Sequence, residues 1–218
     1  MLQFRLLGIP VYIHPFFWVI LAIFGGAFEV LGQFTQQGLV NMIVFIVAGA
    51  LSILVHEFGH ALMMKKFGHY PEVIISTLGG VAVSSGPSFT KTQSILVTLM
   101  GPIAQFTLGL IAAGIAYIAA MQGGYPTPQA AHFVQSLMLV SFVWSIFNMI
   151  PIFPMDGGQI LGALLGNHRR RILHITSITI ASLVIVALLA LQLFFLFALA
   201  ILAMMIMDNV RALKSTPR

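Results

Sequence analysis

Apolar stretches of membrane-spanning length alternate with short polar or glycine-rich breaks along the chain, at 16–31, 39–66, 92–120, 132–147 and 172–207. A span takes about 20 residues, so each of the first four runs predicts one transmembrane helix. The last run is too long for one helix and just long enough for two with a tight turn near Gln192. One segment breaks the pattern. Between Gly68 and Lys91 come two β-branched runs, Val73–Ile75 and Val81–Val83, divided by Ser, Thr and the Gly79–Gly80 pair, which predicts a short β-hairpin or re-entrant loop. Non-helical backbone at membrane depth survives only where protein or a watery cavity satisfies it, so this segment either lines a site or is a plain surface loop. Residues 1–15 read as an amphipathic lead-in to the first helix. The expected fold class is an all-α membrane protein of six transmembrane helices, with the short hairpin between helices 2 and 3.

Composition strengthens this picture. The chain is 59% hydrophobic and 7% charged, with mean hydropathy +1.03, against about 25% charged residues in a soluble domain. Six spans leave no room for a separate soluble domain of about 100 residues, so residues 1–218 are expected to form a single integral-membrane domain. The first apolar run imitates a signal peptide, but no small-residue cleavage site follows it and Glu29 does, which favours an uncleaved helix. A net charge of +5 raises the question of nucleic acid. The basic residues are scattered in short juxtamembrane groups without interleaved aromatics, which excludes that partner. With six spans and a cytoplasmic N-terminus, all ten Lys and Arg, from Arg5 through Lys65, Lys66, Lys91 and the Arg169–Arg171 run to Arg211, Lys214 and Arg218, fall on the cytoplasmic side. A multi-pass protein of the cell membrane with both termini in the cytoplasm is expected. Cysteine is absent, which leaves histidine and carboxylate as the strong metal ligands.

Chemistry concentrates in two places. The first is His56-Glu57-Phe58-Gly59-His60, two imidazoles and a carboxylate within a greasy span. Ionisable groups there are costly and point to function. Positions 56 and 60 are i and i+4, so both imidazoles leave one helix face and can hold one Zn²⁺, with Glu57 beside them as general base for an activated water. The site is expected off-centre in the bilayer, toward the Lys65 side. A single buried histidine is more often a hydrogen-bonded core residue, but the pair with its neighbouring glutamate outweighs that reading. His14, between Pro10 and Pro15, reads as a boundary residue.

The second place is Asn148-Met149-Ile150-Pro151-Ile152-Phe153-Pro154-Met155-Asp156-Gly157-Gly158. Its two prolines forbid regular helix and present Asn148 and Asp156 on irregular backbone. A catalytic zinc takes three protein ligands and an open position, and Asp156 supplies the third after His56 and His60. Taken alone, Asp156 reads equally well as the cap of a helix beginning near Gln159.

Together these motifs resemble the site-2 protease family of intramembrane metalloproteases, in a minimal form without a PDZ or CBS module. The resemblance rests on His56-Glu57-x-x-His60, on Asn148-x-x-Pro151 running to Asp156-Gly157, and on Gly79-Gly80 and Gly101-Pro102. Where the family commonly places Asn after the glycine-proline pair, Gln105 occupies the nearby polar position. The resemblance implies one zinc per chain and hydrolysis of peptide bonds within or beside transmembrane segments of membrane-protein substrates. It also implies Glu57 as the catalytic base, Asn148 on the substrate backbone or developing oxyanion, and regulation by membrane partners or by the substrate. A prenyl-protein-processing protease would need a Glu as third ligand, and only Glu29 and Glu72 remain. A non-catalytic metal-binding or metal-transporting membrane protein is the other alternative. Transport paths repeat polar groups along several spans, whereas here they cluster at one end.

Overall fold

The computed structural model describes residues 1–76, 79–192 and 196–215. They fall into two compact units, one of residues 1–88 and 100–146, the other of 89–99 and 147–218.

The first unit opens with strands that the hydropathy reading missed. β1 (Leu2–Leu6) and β2 (Ile9–Ile13) form an antiparallel hairpin. Leu7 and Gly8, at φ 53° and 79°, make the two-residue turn, whose backbone needs positive φ at both positions. β2 then pairs in parallel with β3 (Tyr70–Ser76), and β3 pairs antiparallel with β4 (Gly79–Ser85), giving a four-stranded sheet in the order β1-β2-β3-β4. The expected hairpin in 68–91 is present, and it is half of a sheet. An all-α reading therefore gives way to a mostly helical fold with a small sheet. Alternation of Leu2, Phe4 and Leu6, then of Ile9, Val11 and Ile13, is a period-two signal that identifies the missed strands.

Ile9, Val11 and Ile13 point inward and pack with Val73 and Ile75, with Phe17 and Leu21 of α1 (Pro15–Phe24), and with Ile53, Phe58 and Ala61 of α3 (Gln36–Lys66). The first predicted span is broken. α1 has ten residues, about 15 Å of helix against a hydrocarbon core of about 30 Å, and α2 (Ala27–Gly32) follows it. Gly25 packs with its Cα against the Met42 carbonyl of α3, and Gly26 takes a left-handed conformation at φ 95°, so the chain turns there. His14 caps α1 by accepting from the Phe16 amide on Nδ1, which bears out its reading as a boundary residue.

Thr35 caps α3, its Oγ1 accepting from the Gly38 amide at 3.0 Å. α4 (Lys91–Met121) starts with a reciprocal box, the Thr90 amide donating to Gln93 Oε1 at 2.9 Å and the Gln93 amide to Thr90 Oγ1. At α5 (Pro128–Asn148) the cap is one-way, Thr127 Oγ1 accepting from the Ala130 amide at 3.1 Å. Small residues bring these helices close: Ala48 of α3, Ala112 of α4 and Val134 and Leu137 of α5 form one buried cluster.

In the second unit, α6 (Asp156–Leu165) leads through a turn of 3-10 helix to α7 (Arg170–Ala190) and α8 (Leu196–Ser215). The long final apolar run is thus two helices, and Gln192, at φ 56°, lies at the break, as expected. Arg218 lies outside the described residues. Ile152, Met155, Ala181 and Leu202 form the core here.

Of six expected spans, the described residues contain four helices long and apolar enough to cross a bilayer: α3, α4, α5 and α7. α8 carries Asp208, Arg211 and Lys214 in its C-terminal part. The outward faces of the four are apolar, with Val47, Leu110, Leu139 and Leu183 all exposed, the arrangement of a membrane protein whose helices face lipid.

Candidate metal centre

α3 positions the first half of the site. His56, Glu57 and His60 are all buried, at 3%, 3% and 7% exposure. The i, i+4 spacing does what the pattern predicts: His60 Nε2 lies 3.1 Å from His56 Nε2, with the rings edge to face. Two nitrogens bound to one tetrahedral zinc at about 2.0–2.1 Å stand about 3.3 Å apart, so this pair fits such an ion with little adjustment.

Three glycines make room for these side chains. A Cβ on Gly59, inside the motif, would run into the Met100 carbonyl of α4, so α3 and α4 cross at backbone contact. A Cβ on Gly101 would collide with the His60 ring, and one on Gly80 of β4 with the Glu57 carboxyl group. The strand at the end of the sheet thereby lies directly over the glutamate. Gly101, half of the Gly101-Pro102 pair noted in the sequence, thus has the imidazole itself as its neighbour.

Behind the imidazole runs a polar chain. His56 Nδ1 is 2.9 Å from Gln105 Oε1, Gln105 Nε2 donates to Ser52 Oγ at 3.0 Å, and Ser52 Oγ is 2.9 Å from Ser141 Oγ. The three partners are fully buried. Motif reading left Gln105 without a role and missed both serines, although Ser52 precedes His56 by four residues and Gly101 precedes Gln105 by four, the same helical step as the motif.

Asn148 and Asp156 belong to the second unit and are described there. Asn148 is half-buried and is the last residue of α5, on regular helix. Asp156, 6% exposed, is the first residue of α6; the N-cap is Met155. The helix starts earlier than expected, so Asp156 sits in its first turn and does not take the capping position. The segment between them is held by its backbone. The Phe153 amide donates to Ser177 Oγ at 3.0 Å, and Asn209 Nδ2 donates to the Phe153 carbonyl at 2.6 Å. His174 Nδ1 meets Asn209 Oδ1 at 2.8 Å and its ring stands edge-on to Phe153. Gly157 and Gly158 let the first turn of α6 lie against the backbone of Met149 and of Ile152 and Phe153. Ser177, His174 and Asn209 were not read as part of the site. Each has polar neighbours, Thr176 and Thr179 around His174 and Ser177 and Asp208 beside Asn209, so no local pattern singles them out.

Comparison with known proteins agrees with the motifs. The Peptidase family M50 model matches residues 117–192, which include Asn148 and Asp156. The zinc metalloprotease MJ0392 of Methanocaldococcus jannaschii is 27% identical over 164 residues, covering 74% of this chain and 44% of that protein. Stage IV sporulation protein FB of Bacillus subtilis is 23% identical over 155 residues, 70% of this chain and 46% of that one. The chain thus spans less than half the length of these curated relatives. Among solved structures, a site-2 protease from Methanocaldococcus jannaschii superposes with a TM-score of 0.63 at 23% identity, covering 100% of this chain and 97% of that one.

Proposed function

From this kinship with Peptidase family M50 and the site-2 proteases, we propose that the chain is an intramembrane zinc metalloendopeptidase, acting on peptide bonds within or near transmembrane segments of membrane-protein substrates. The observation that carries the reading is the facing Nε2 pair of His56 and His60 with Glu57 beside it. Asp156, a buried carboxylate of the required type, completes the ligand set, at one zinc per chain. When bound, zinc supplies Lewis-acid chemistry, polarising the carbonyl under attack and acidifying the attacking water.

The remaining steps belong to the chain's own groups. Glu57 takes the water's proton and later passes it to the leaving amine. Asn148 donates a hydrogen bond to the substrate backbone or to the developing oxyanion. A helical substrate hides its amides, so it must be locally unwound; β4, at the end of the sheet and against Glu57, receives it in extended form by strand addition. Prolines at Val81 and Val83 are expected to cut turnover at least about tenfold while zinc content stays at one; unchanged cleavage excludes strand addition.

The charge distribution supports termini and a cleavage side that are cytoplasmic, since six crossings, the first made by the broken segment 15–32, put every Lys and Arg there. The bond cut then lies nearer the cytosolic end of the substrate helix than the bilayer midplane. Regulation comes from membrane partners or from the substrate.

The decisive experiment compares wild type with Glu57→Gln, reconstituted with a single-span model substrate and with zinc quantified in both. Equal zinc with cleavage lowered about 10²–10⁴-fold is the expected result, the usual range for a general base. Cleavage that survives the substitution overturns the protease.

A further inference from the structure

Buried polar side chains within apolar helices are costly unless bonded, and four of them here form one continuous chain across three helices. It begins at His56 of α3, crosses to Gln105 of α4, returns to Ser52 of α3 and ends at Ser141 of α5. Gln105, Ser52 and Ser141 are each 0% exposed, so water cannot replace a lost bond.

Resting on the zinc reading above, we infer that Gln105 is the positioning residue that presents His56 to the metal. The amide oxygen can only accept, so its 2.9 Å contact requires the proton of His56 on Nδ1. The lone pair is then on Nε2, the atom that faces His60. The amide nitrogen can only donate, and its bond to Ser52 Oγ stops the amide from rotating. Ser141 in turn engages the Ser52 hydroxyl. The tautomer and ring angle of a ligand are thus set two and three bonds away from it, by neutral side chains where many metal sites use a carboxylate. A neutral acceptor adds no second charge beside Glu57 in a low-dielectric setting.

The antiparallel register of α3 and α4 supports the assignment. Gly101 clears the space for the His60 ring and Gln105, one helical step on, reaches His56, one step back on α3. One face of α4 therefore serves both imidazoles, by shape at one and by a hydrogen bond at the other.

The test uses the purified full chain in detergent. Zinc affinity is measured by chelator competition, the visible absorption of the cobalt(II)-loaded protein reports ligand geometry, and thermal melting of the metal-free protein reports packing. Gln105→Leu is expected to weaken zinc about 10–100-fold and to alter the cobalt spectrum, while Gln105→Glu, which keeps an acceptor of the same length, restores affinity to within about threefold. Ser52→Ala, one bond further out, is expected to cost about threefold and covers the case in which Gln105→Leu does not fold. Wild-type zinc affinity in both Gln105→Leu and Ser52→Ala overturns the inference alone. So does equal loss in the Leu and Glu variants that tracks a lower melting temperature, since that is a packing role. Failure of wild type to bind zinc overturns the proposed function and this inference with it.

Discussion

The helix α3 and the segment 149–155 hold their functional side chains in opposite ways. On α3 the backbone is self-sufficient, so the spacing of His56 and His60 puts both rings on one face, where their Nε2 atoms lie 3.1 Å apart. What needs help is side-chain orientation, supplied by the bond from Gln105 and by the space left at Gly101. In 149–155 the prolines have removed the regular ladder, so the backbone itself must be fixed. Ser177 and Asn209 bond the amide and carbonyl of Phe153, and Gly157 and Gly158 allow backbone to pack on backbone. A candidate ligand on a helix calls for neighbours that orient a ring; a candidate ligand after an irregular turn calls for neighbours that tie down a main chain.

Two substitutions press on this contrast. Gly101→Val places branched carbon where the His60 ring lies, so the largest effect is expected there: loss of zinc of at least about 100-fold, together with a lower melting temperature, since a well-packed crossing costs about 1–3 kcal/mol to overfill. Normal zinc binding by this variant, measured by competition, means that the ring has another place to go and that shape at α4 is not the controlling factor. Asn209→Ala leaves the Phe153 carbonyl and His174 without their buried partner, and a loss of about 2–3 kcal/mol is expected. Hydrogen exchange should localise the change to 150–156, with α3 amides as protected as in wild type. A loss of protection spread equally over both regions removes the distinction between them.

The legibility of each region follows the same physics. The metal motif was visible because a helix converts sequence spacing directly into geometry, and the four apolar helices were visible because lipid imposes length and composition on them. The first predicted span failed at Gly25 and Gly26, where a close approach to Met42 and a left-handed residue outweigh an unbroken apolar run. β1 and β2 carried their alternation in plain view, yet in a chain dominated by long apolar runs the short hairpin from Leu2 to Ile13 reads as a lead-in to the first helix.

Sequence by itself determined which side chains are candidates for the proposed chemistry: His56, Glu57 and His60 within one turn of helix, and Asn148 and Asp156 around a proline-rich break, a pattern similar to the site-2 proteases. Only the tertiary structure decided that Gln105 reaches His56, that Ser52 and Ser141 lock it, that Gly80 lays β4 over Glu57, and that Asn209 grips the Phe153 carbonyl. The reason is distance along the chain. Contacts within one helix follow from its 3.6-residue period, whereas a bond between residues 56 and 105, or 153 and 209, depends on how helices cross, which packing settles and local pattern does not encode.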